Sequence, residues 1–271
     1  MAARVTGIPD GGNVPWSNIE ERIVFQRAQR YTDTGPDLRP LGSARFRHEG
    51  GRLFVAFAQI PPAQLGASID RVAAYARSRG MRVQWTLTRT LASVDSPSAH
   101  ALMAHGFALD ERLILMARQG TLDVPRSRQV SIAPIGAFAE MKAYENGSRR
   151  SFYGDRIPDD AMVIARASER WRQQEMGWFR YYIARIGDTE VGGLYVSLWE
   201  DVPTLMGVYT IETARSQGVA TTAIQHAVSE LVASGRDSYC LYVKDGNPAE
   251  RLYNNLGFRK LHVEETYFLD N

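Results

Sequence analysis

The sequence is poor in cysteine and in lysine. Cys240 is the only cysteine, which excludes an internal disulfide framework and favours a reducing compartment. It lies in the apolar run Ser238 to Val243, where we expect a buried structural thiol rather than a nucleophile. Lys142, Lys244 and Lys260 are the only lysines among 32 basic residues. We attribute this bias toward arginine to the base composition of the gene and not to function.

The patterns of metal, membrane and nucleic-acid binding are also missing. The five histidines contain no i, i+4 pair and no neighbouring cysteine, so we expect no metal site. No apolar run approaches the ~20 residues of a membrane helix, and residues 1–12 lack the apolar core of a signal peptide. A formal net charge of +2 gives no electrostatic footprint for nucleic acid. These absences predict a cytoplasmic protein that binds neither membrane nor nucleic acid.

The length of 271 residues is comfortable for two domains, and 44% hydrophobic with 23% charged residues is ordinary for a globular chain. Thr121 to Arg128, with a proline and alternating charges, resembles a linker. We therefore predict domains at residues 1–122 and 129–271. Strand-like and helix-like patterns are mixed in both, which indicates the α/β (α+β) class.

Most elements can be placed from hydrophobic periodicity and from turn and capping residues. In the second half the patterns predict a helix from Ile135 to Tyr144, then a loop from Asn146 to Pro158. A hairpin from Arg180 to Leu198 turns at Gly187-Asp188. In the first half they predict a turn at Ala63 to Ser68 before a helix from Ala67 to Arg79. Ser17 is expected to cap a helix, Ser96-Pro97 to open one, and Asp159 or Asp160 to cap another.

A strand, a tight turn and a helix start follow one another from Met206 to Ala233. The turn is Arg215-Ser216-Gln217-Gly218-Val219-Ala220. Its backbone N–H groups would lie at a helix N-terminus, where the aligned peptide dipoles favour an anion. Gly218 and Ala220 allow the main chain to approach a phosphate closely. The stretch therefore predicts a phosphate-binding turn.

From Val130 to Asn271 the order of elements and the motifs resemble the GNAT acetyltransferase superfamily. The hairpin and the strand ending at Ile211 come first. Arg215 to Ala220 then has the form of that family's R/Q-x-x-G-x-G/A pyrophosphate loop. Finally, Asn247 to Phe258 is similar to its helix ending in L-Y-x-x-L-G-F. The resemblance implies an acetyl-CoA-dependent N-acetyltransferase.

The resemblance also assigns roles to residues. Backbone groups of Val208, Tyr209 and Thr210 would pair with the pantetheine arm as an added strand. Backbone N–H groups of the loop would hold the pyrophosphate. The loop residues are Arg215, Ser216, Gln217, Gly218, Val219 and Ala220. Tyr253 would protonate the departing thiolate; a half-buried aromatic of a core helix is its alternative role.

Two departures from the family pattern affect this assignment. Asn247 lies one position closer to Tyr253 than the family's asparagine, and Gly246 occupies that position, so a contact of Asn247 with the cofactor is expected with a shifted geometry. Glu212 replaces a proline that often precedes the loop. Some members of the superfamily carry a glutamate on the preceding strand as general base, and in the comparable stretch this chain has Thr204. Glu200, Asp201 and Glu212 remain candidates by proximity, as does a water-relayed deprotonation.

The first half repeats the same order of elements more weakly. His105-Gly106-Phe107 echoes Leu256-Gly257-Phe258, but Leu102 stands where the second half has Tyr253. Ala63 stands where the second half has Arg215. We expect a degenerate GNAT-like domain with a structural role, giving two tandem domains, each a mixed sheet flanked by helices. Such a chain would be a monomer with an internal pseudo-dimer, or a homodimer.

The acceptor is expected to bind the first two helices of the second domain and the loop between them. This region supplies the aromatic residues Phe152, Tyr153, Trp171, Trp178 and Phe179 and the acidic residues Glu145, Asp155, Asp159, Asp160 and Glu169. Aromatic faces and carboxylates together suit a small cationic primary amine. Three alternatives remain. The acceptor could be a protein N-terminus or lysine, or the chain could be an acyl-CoA-binding regulatory or scaffold protein without turnover. The third is an aminoacyl-tRNA-using transferase, which the near-neutral charge disfavours.

Overall fold

The computed structural model describes residues 19–23, 45–56, 60–91, 96–154 and 159–270. Several sequence predictions lie outside these ranges and stay predictions, among them the Ser17 cap and the position of Asp155.

Strands and helices alternate through the described residues, beginning with a helical turn at residues 19–23. The first half contains β1 (Arg45–Glu49), β2 (Arg52–Ala56), α1 (Pro62–Arg77), β3 (Arg82–Thr90), α2 (Pro97–Ala104) and β4 (Ala108–Gln119). The second contains β5 (Val130–Pro134), α3 (Phe138–Tyr153), α4 (Asp160–Glu175), β6 (Phe179–Ile186), β7 (Thr189–Ser197), β8 (Thr204–Thr210), a 3-10 turn (Glu212–Ala214), α5 (Val219–Ala233), β9 (Ser238–Lys244), α6 (Ala249–Asn255) and β10 (Arg259–Leu269).

Within the described residues the strands form one ten-stranded sheet in the order β1-β2-β3-β10-β4-β9-β8-β7-β6-β5. The closing strands of the two halves are exchanged. β10 lies between β3 and β4, whereas β4 lies between β10 and β9. β4 pairs with β9 from Leu113↔Lys244 to Gln119↔Ser238. Each half is therefore completed by a strand of the other, and the predicted boundary at residues 122–129 divides the sequence but not the sheet.

The second half buries both faces of its sheet. On one face Tyr182, Leu194 and Val196 pack with α5 and α6 in a cluster that also takes Ile114 and Met116 from β4. On the other face Tyr181, Ile183 and Tyr209 pack with α3 and α4. Neighbours in sequence point to opposite faces because side chains of a strand alternate.

The first half has a separate core on one side of β2, β3 and β10. Leu53, Val83, Trp85 and Tyr267 pack there with apolar residues of α1 and α2. Trp85 meets Phe107 edge to face, with ring centroids 6.1 Å apart. Phe107 belongs to the His105-Gly106-Phe107 echo, so the echo occupies a core position like that of Phe258 in the second half.

Helix caps were predicted better than helix lengths. Ser96 and Asp159 cap their helices, accepting hydrogen bonds from Ala99 N and Met162 N. The predicted loop from Asn146 to Pro158 is wrong over its first part, since α3 continues through Gly147 to Tyr153. The predicted turn at Ala63 to Ser68 is wrong as well. Those residues form the first turns of α1, which begins at Pro62 because proline suits the first position of a helix.

Candidate active site

Strands β8 and β9 run parallel but separate after two paired positions. The pairs are Thr204↔Cys240 and Leu205↔Leu241, although β8 continues to Thr210. From Met206 onward the edge of β8 that faces β9 is therefore without a strand partner in the described sheet. Backbone N–H and C=O groups on such an edge can pair with an extended ligand. Val208, Tyr209 and Thr210, predicted to hold the pantetheine arm, lie on this open edge.

A glycine produces the irregularity at the point of separation. Gly207 has φ +57° and lies where the register between β7 and β8 shifts, between Gly193 and Tyr195. A Cβ on Gly207 would lie 2.6 Å from Tyr195 Cε1, so both the conformation and the space require glycine. The resulting bulge bends β8 away from β9 and opens the cleft.

The turn after β8 leads into a helix that begins without a side-chain cap. Gly218, the residue before α5, is left-handed at φ +79°, and Ser216 also has a positive φ of 64°. The first N–H groups of a helix have no intrahelical acceptor. Arg215, Ser216 and Gln217 are exposed around this end. The turn thus offers uncapped donors at the positive end of a helix, which is the arrangement predicted for a pyrophosphate.

The segment predicted as a linker fixes this helix in place. Thr222 Oγ1 accepts a hydrogen bond from Ser127 N at 3.1 Å. Gln225 Nε2 donates to the carbonyls of Leu122 and Val124 at 3.0 and 2.8 Å. A Cβ on Gly218 would lie 3.3 Å from Ser127 Cβ. The segment therefore packs along α5 beside the phosphate-binding turn.

Tyr253 lies on α6 in the same core cluster as Leu205 and Val208 of β8. Its side chain is buried, and burial raises the pKa of Tyr253 to about 12. Within the part of the chain that the structure describes, Tyr253 has ring contact with Phe258 and no hydrogen bond to its hydroxyl. The phenol is therefore protonated at physiological pH and free to donate to a ligand.

Asn247 has a local structural task. Its Oδ1 accepts a hydrogen bond from Ala249 N at 2.9 Å, at the start of α6. The side chain is exposed, so its amide NH₂ stays available to a ligand. The predicted cofactor contact thus remains a prediction, restricted to the donor end of the side chain.

Tyrosines fill the opposite face of β8. Tyr144 of α3 meets Tyr181 and Tyr209 edge to face at 5.5 and 5.4 Å, and Tyr181 stacks on Tyr195 at 5.0 Å. The hydroxyl of Tyr144 is buried and has no hydrogen-bond partner among the residues that the structure describes. It lies 3.4 Å from where a Cβ on Gly207 would be. We call these four side chains the tyrosine cluster; alternation in β6, β7 and β8 could have signalled three of them.

An arginine of α4 lies against this cluster. The Arg170 guanidinium carbon is 5.8, 5.6 and 5.3 Å from the ring centres of Tyr144, Tyr181 and Tyr195. Arg170 also pairs with Glu145 at 2.7 Å, and Arg149 pairs with the other oxygen of Glu145 at 2.6 Å. One buried carboxylate therefore serves two guanidinium groups, which leaves local positive charge.

The residues predicted to bind a cationic acceptor are spread over this region. Phe152, Tyr153 and Trp178 are exposed, with 53, 63 and 41% of their surface accessible, whereas Trp171 and Phe179 are half-buried at the tyrosine cluster.

The predicted carboxylates are largely engaged with other groups. Glu145 lies between two arginines, Asp159 caps α4, and Glu169 pairs with Arg172 at 2.6 Å. Asp160 is exposed in the first turn of α4. These contacts leave Asp160 as the acidic group most open to a cation among the four that the structure describes.

Of the three candidate bases named from proximity, Glu200 and Asp201 precede the paired end of β8, and Glu212 follows its open end. Glu200 is buried and accepts a hydrogen bond from Thr204 Oγ1 at 2.8 Å, where β8 still pairs with β9. Asp201 pairs with Arg22 at 2.6 Å. Glu212 has an 87% exposed side chain, 4.0 Å from Arg215.

Sequence reasoning missed a fourth carboxylate. Glu190 of β7 accepts a hydrogen bond of 2.5 Å from the hydroxyl of Tyr209 on β8. Burial raises its pKa, against the opposing effects of Tyr209 and Arg185. The hairpin alternation places Glu190 on a strand, but the contact with Tyr209 depends on the pairing of β7 with β8.

Two findings concern other ligands. Among the described residues no group of three or more His, Cys, Asp or Glu side chains could hold a metal ion. In the same part of the chain no helix has the length and apolar character needed to cross a bilayer.

The parted parallel strands, the bulge and the uncapped helix start define an α/β fold with an open strand edge that leads to a site suited to an anion. A family model described as FR47-like protein matches residues 192–269, from β7 to β10. A comparison of the sequence with curated proteins found no match.

Solved structures share the fold over most of the chain. A GCN5-related N-acetyltransferase from Kribbella flavida has TM-score 0.65 at 15% identity, covering 94% of this chain and 95% of its own. One from Sphaerobacter thermophilus has TM-score 0.62 at 15% identity, covering 83% and 75%. A tandem GNAT protein from the clavulanic acid biosynthesis pathway has TM-score 0.59 at 13% identity, covering 83% and 78%.

The solved structures show that the chain has the GNAT fold, as its motifs predicted, and the family model matches the part of the chain in which those motifs lie. The predicted fold class, two tandem GNAT-like units of mixed sheet and helices, is confirmed. The fold supports acyl transfer in general, whereas identities of 13–15% carry no substrate from these proteins to this one.

Proposed function

We propose that the chain is an acetyl-CoA-dependent N-acetyltransferase that moves an acetyl group to a primary amine. The observation that carries this proposal is the open edge of β8 from Met206, which leads into the uncapped start of α5. An extended arm ending in a pyrophosphate matches both features in the order in which they occur. No metal is required for this chemistry.

The residues present fit acetyl-CoA. The turn from Arg215 to Gly218 supplies exposed side chains and two positive φ angles, at Ser216 and Gly218, and such a turn can direct successive backbone N–H groups at an anion. The N–H of Arg215 itself donates to Glu212 O at 3.2 Å, so the donors left for a pyrophosphate come after it. The arm would lie along Val208 to Thr210. When bound, the co-substrate supplies an activated acetyl thioester beyond Val208, toward the Gly207 bulge.

Within this site the chain itself would supply a proton and an oriented surface. Tyr253 keeps its proton because burial raises its pKa to about 12, and it donates that proton to the sulfur as the carbon–sulfur bond breaks. The tyrosine cluster fills the core on the other face of β8, and the amine would approach the cleft from that side. The attack would then take place in a ternary complex, with both substrates bound.

A small amine remains the proposed acceptor, and the structure modifies the reason for it. Exposed Phe152, Tyr153 and Trp178 at the ends of α3 and α4 offer ring faces to a cation. The buried acids offer less than the sequence suggested, because arginines already pair with Glu145 and Glu169. Aromatic contact and Asp160, rather than Glu145, would therefore recognise the cation.

The test is release of thiol from acetyl-CoA over a panel of amines that includes aminoglycosides, polyamines, peptides with free N-termini and lysine peptides. We expect a small cationic amine to stimulate release in the wild type. Stimulation by peptides alone would favour a protein N-acetyltransferase. If calorimetry shows coenzyme A binding and no amine stimulates release, the chain is an acyl-CoA-binding protein without turnover and the enzyme proposal fails.

A further inference from the structure

Two arginines of α3 and α4 share a single carboxylate. Arg149 Nε lies 2.6 Å from Glu145 Oε1, and Arg170 Nε lies 2.7 Å from Glu145 Oε2. The Glu145 side chain is 1% exposed, and those of Arg149 and Arg170 are 11 and 23% exposed. The three groups therefore carry one positive charge in excess at a largely buried place. An uncompensated charge there is costly, so the place favours one further anion.

Neighbouring groups of the protein do not supply that anion. Among the described residues the shared carboxylate is the only acidic partner of Arg170, and the adjacent Glu169 pairs with Arg172 at 2.6 Å. The hydroxyls of Tyr181 and Tyr195 also interact with Arg170, but burial raises the pKa of both phenols, that of Tyr181 to about 12. Both are therefore protonated at physiological pH. They give Arg170 hydrogen bonds and ring faces but no negative charge.

The partly exposed guanidinium of Arg170 lies close to the bulge of β8. Its Cζ is 5.3 Å from the ring centre of Tyr195, and Tyr195 Cε1 is 2.6 Å from where a Cβ on Gly207 would be. Tyr195 and Gly207 are themselves half-buried. A single tyrosine ring thus separates the guanidinium from the bulge, toward which the acetyl group of the co-substrate would point.

This excess charge discriminates between two kinds of amine. An amine without an acidic group would bring its positive charge toward Arg170, and like charges repel. An amine with a carboxylate would bring the missing anion. A guanidinium has five N–H donors, so its contacts with Glu145 and two hydroxyls leave donors for a second carboxylate.

We propose that the acceptor amine also carries a carboxylate, as an amino acid does, and that Arg170 binds this group. The inference rests on the proposed N-acetyltransferase function and names the class of its acceptor. Arginine holds carboxylates through charge-assisted and often paired hydrogen bonds. The amine and the carboxylate of an amino acid are only a few bond lengths apart, which suits the single ring between Arg170 and the bulge.

The first test measures thiol release from acetyl-CoA with the common amino acids that have uncharged or basic side chains. Each is compared with its decarboxylated amine and with its amide. We expect kcat/KM of the best amino acid to exceed that of both analogues about tenfold or more, because they lack the group that pairs with Arg170. The amide has the least basic amine of the three, so a preference for amides would report amine ionisation and contradict the inference.

The second test replaces Arg170. Arg170→Gln removes the excess charge but leaves Glu145 paired with Arg149, so no buried carboxylate loses its partner. We expect its KM for the amino acid to rise about tenfold or more, and its kcat/KM for the decarboxylated amine to stay within about threefold. Arg170→Lys keeps the charge without the planar fork and should show an intermediate preference.

Arg172→Gln is the matched control. Arg172 lies on the same helix, is 54% exposed and pairs with Glu169, so the same substitution there should leave the preference for the amino acid unchanged. The KM for acetyl-CoA should stay within about twofold in every variant, since none of these side chains lies on the edge of β8 or in the turn after it.

The outcomes separate this inference from the function beneath it. If the wild type binds coenzyme A and acetylates no amine of any class, the proposed function fails. If it acetylates decarboxylated amines or amides as well as the amino acids, the inference fails and the function stands. An equal loss in Arg170→Gln toward amino acids and their analogues would assign Arg170 a structural role in the tyrosine cluster and overturn the inference as well.

Discussion

Replacing Tyr253 by phenylalanine removes one hydroxyl that has ring neighbours but no hydrogen-bond partner in the described part of the chain. The stability change should stay within about 0.5 kcal/mol, since no protein hydrogen bond is broken. With a pKa of about 12, roughly one phenol in ten thousand is ionised at pH 8. A positioned acid is worth about 10²–10⁴ in rate, or about 3–5 kcal/mol of the barrier. Tyr253→Phe should therefore lose at least 100-fold in kcat at nearly unchanged stability.

Tyr239→Phe is the matched control from the same core cluster. Burial raises the pKa of Tyr239 to about 12 as well, but its hydroxyl donates to Gly120 O at 2.8 Å. This substitution should cost about 0.5–1.5 kcal/mol of stability and leave kcat unchanged. The two variants thus have opposite expected effects on stability and on rate.

Thiol release at saturating acetyl-CoA and amine gives kcat, and urea unfolding gives stability. Wild-type kcat in Tyr253→Phe would refute the acid role. A loss of kcat in wild type between pH 8 and pH 10 would contradict a phenol with a pKa near 12, because a raised pKa keeps the acid protonated through that range. The stability that this raised pKa contributes is present below pH 10 and is lost only as the pH rises through about 12.

Two further predictions concern the phosphate-binding turn and the exchanged strands. Gly218→Ala and Gly235→Ala place alanine at φ +79° and +81° at opposite ends of α5, and each should cost about 1–2 kcal/mol of stability. Calorimetry should show weaker coenzyme A binding only for Gly218→Ala. Equal affinities of the two variants would refute a role of Gly218 in binding the pyrophosphate. A fragment of residues 129–271 lacks β4 and leaves β9 and β10 without their shared neighbour, so we expect it to aggregate, and a soluble, cooperatively unfolding fragment would contradict this expectation.

Local signals in the sequence placed most elements of the second half. The alternation of buried and exposed positions predicted the hairpin that the structure has at Phe179–Ser197. The strand predicted before the turn at Arg215 is β8. The helix after Arg215 buries Val219, Ile224, Ala227, Val228 and Leu231, as its 3.6-residue period predicted. These features depend on neighbours a few residues apart, which is the range over which a sequence pattern acts.

Local signals failed where a stronger distant contact prevailed. The pattern ended α3 at Tyr144 because Asn146 and Gly147 are poor helix residues. In the structure Gly147 lies inside α3. Glu190 and Tyr209 occupy the space that a side chain at this position would need. The helix-breaking residue is thus explained by a pair from two other strands.

The sequence by itself determined the turn after β8, the helix that carries Tyr253 and the order of elements of the GNAT fold, since each is a short motif with its own turn, cap or periodicity. Only the tertiary structure decided that β4 and β10 are exchanged between the halves. It also decided that Tyr209 meets Glu190. Periodicity says which face of a strand is buried but not which strand lies beside it. Pairing across the sheet is settled by the packing of the whole core, and it is this pairing that brings Glu190 of β7 to Tyr209 of β8.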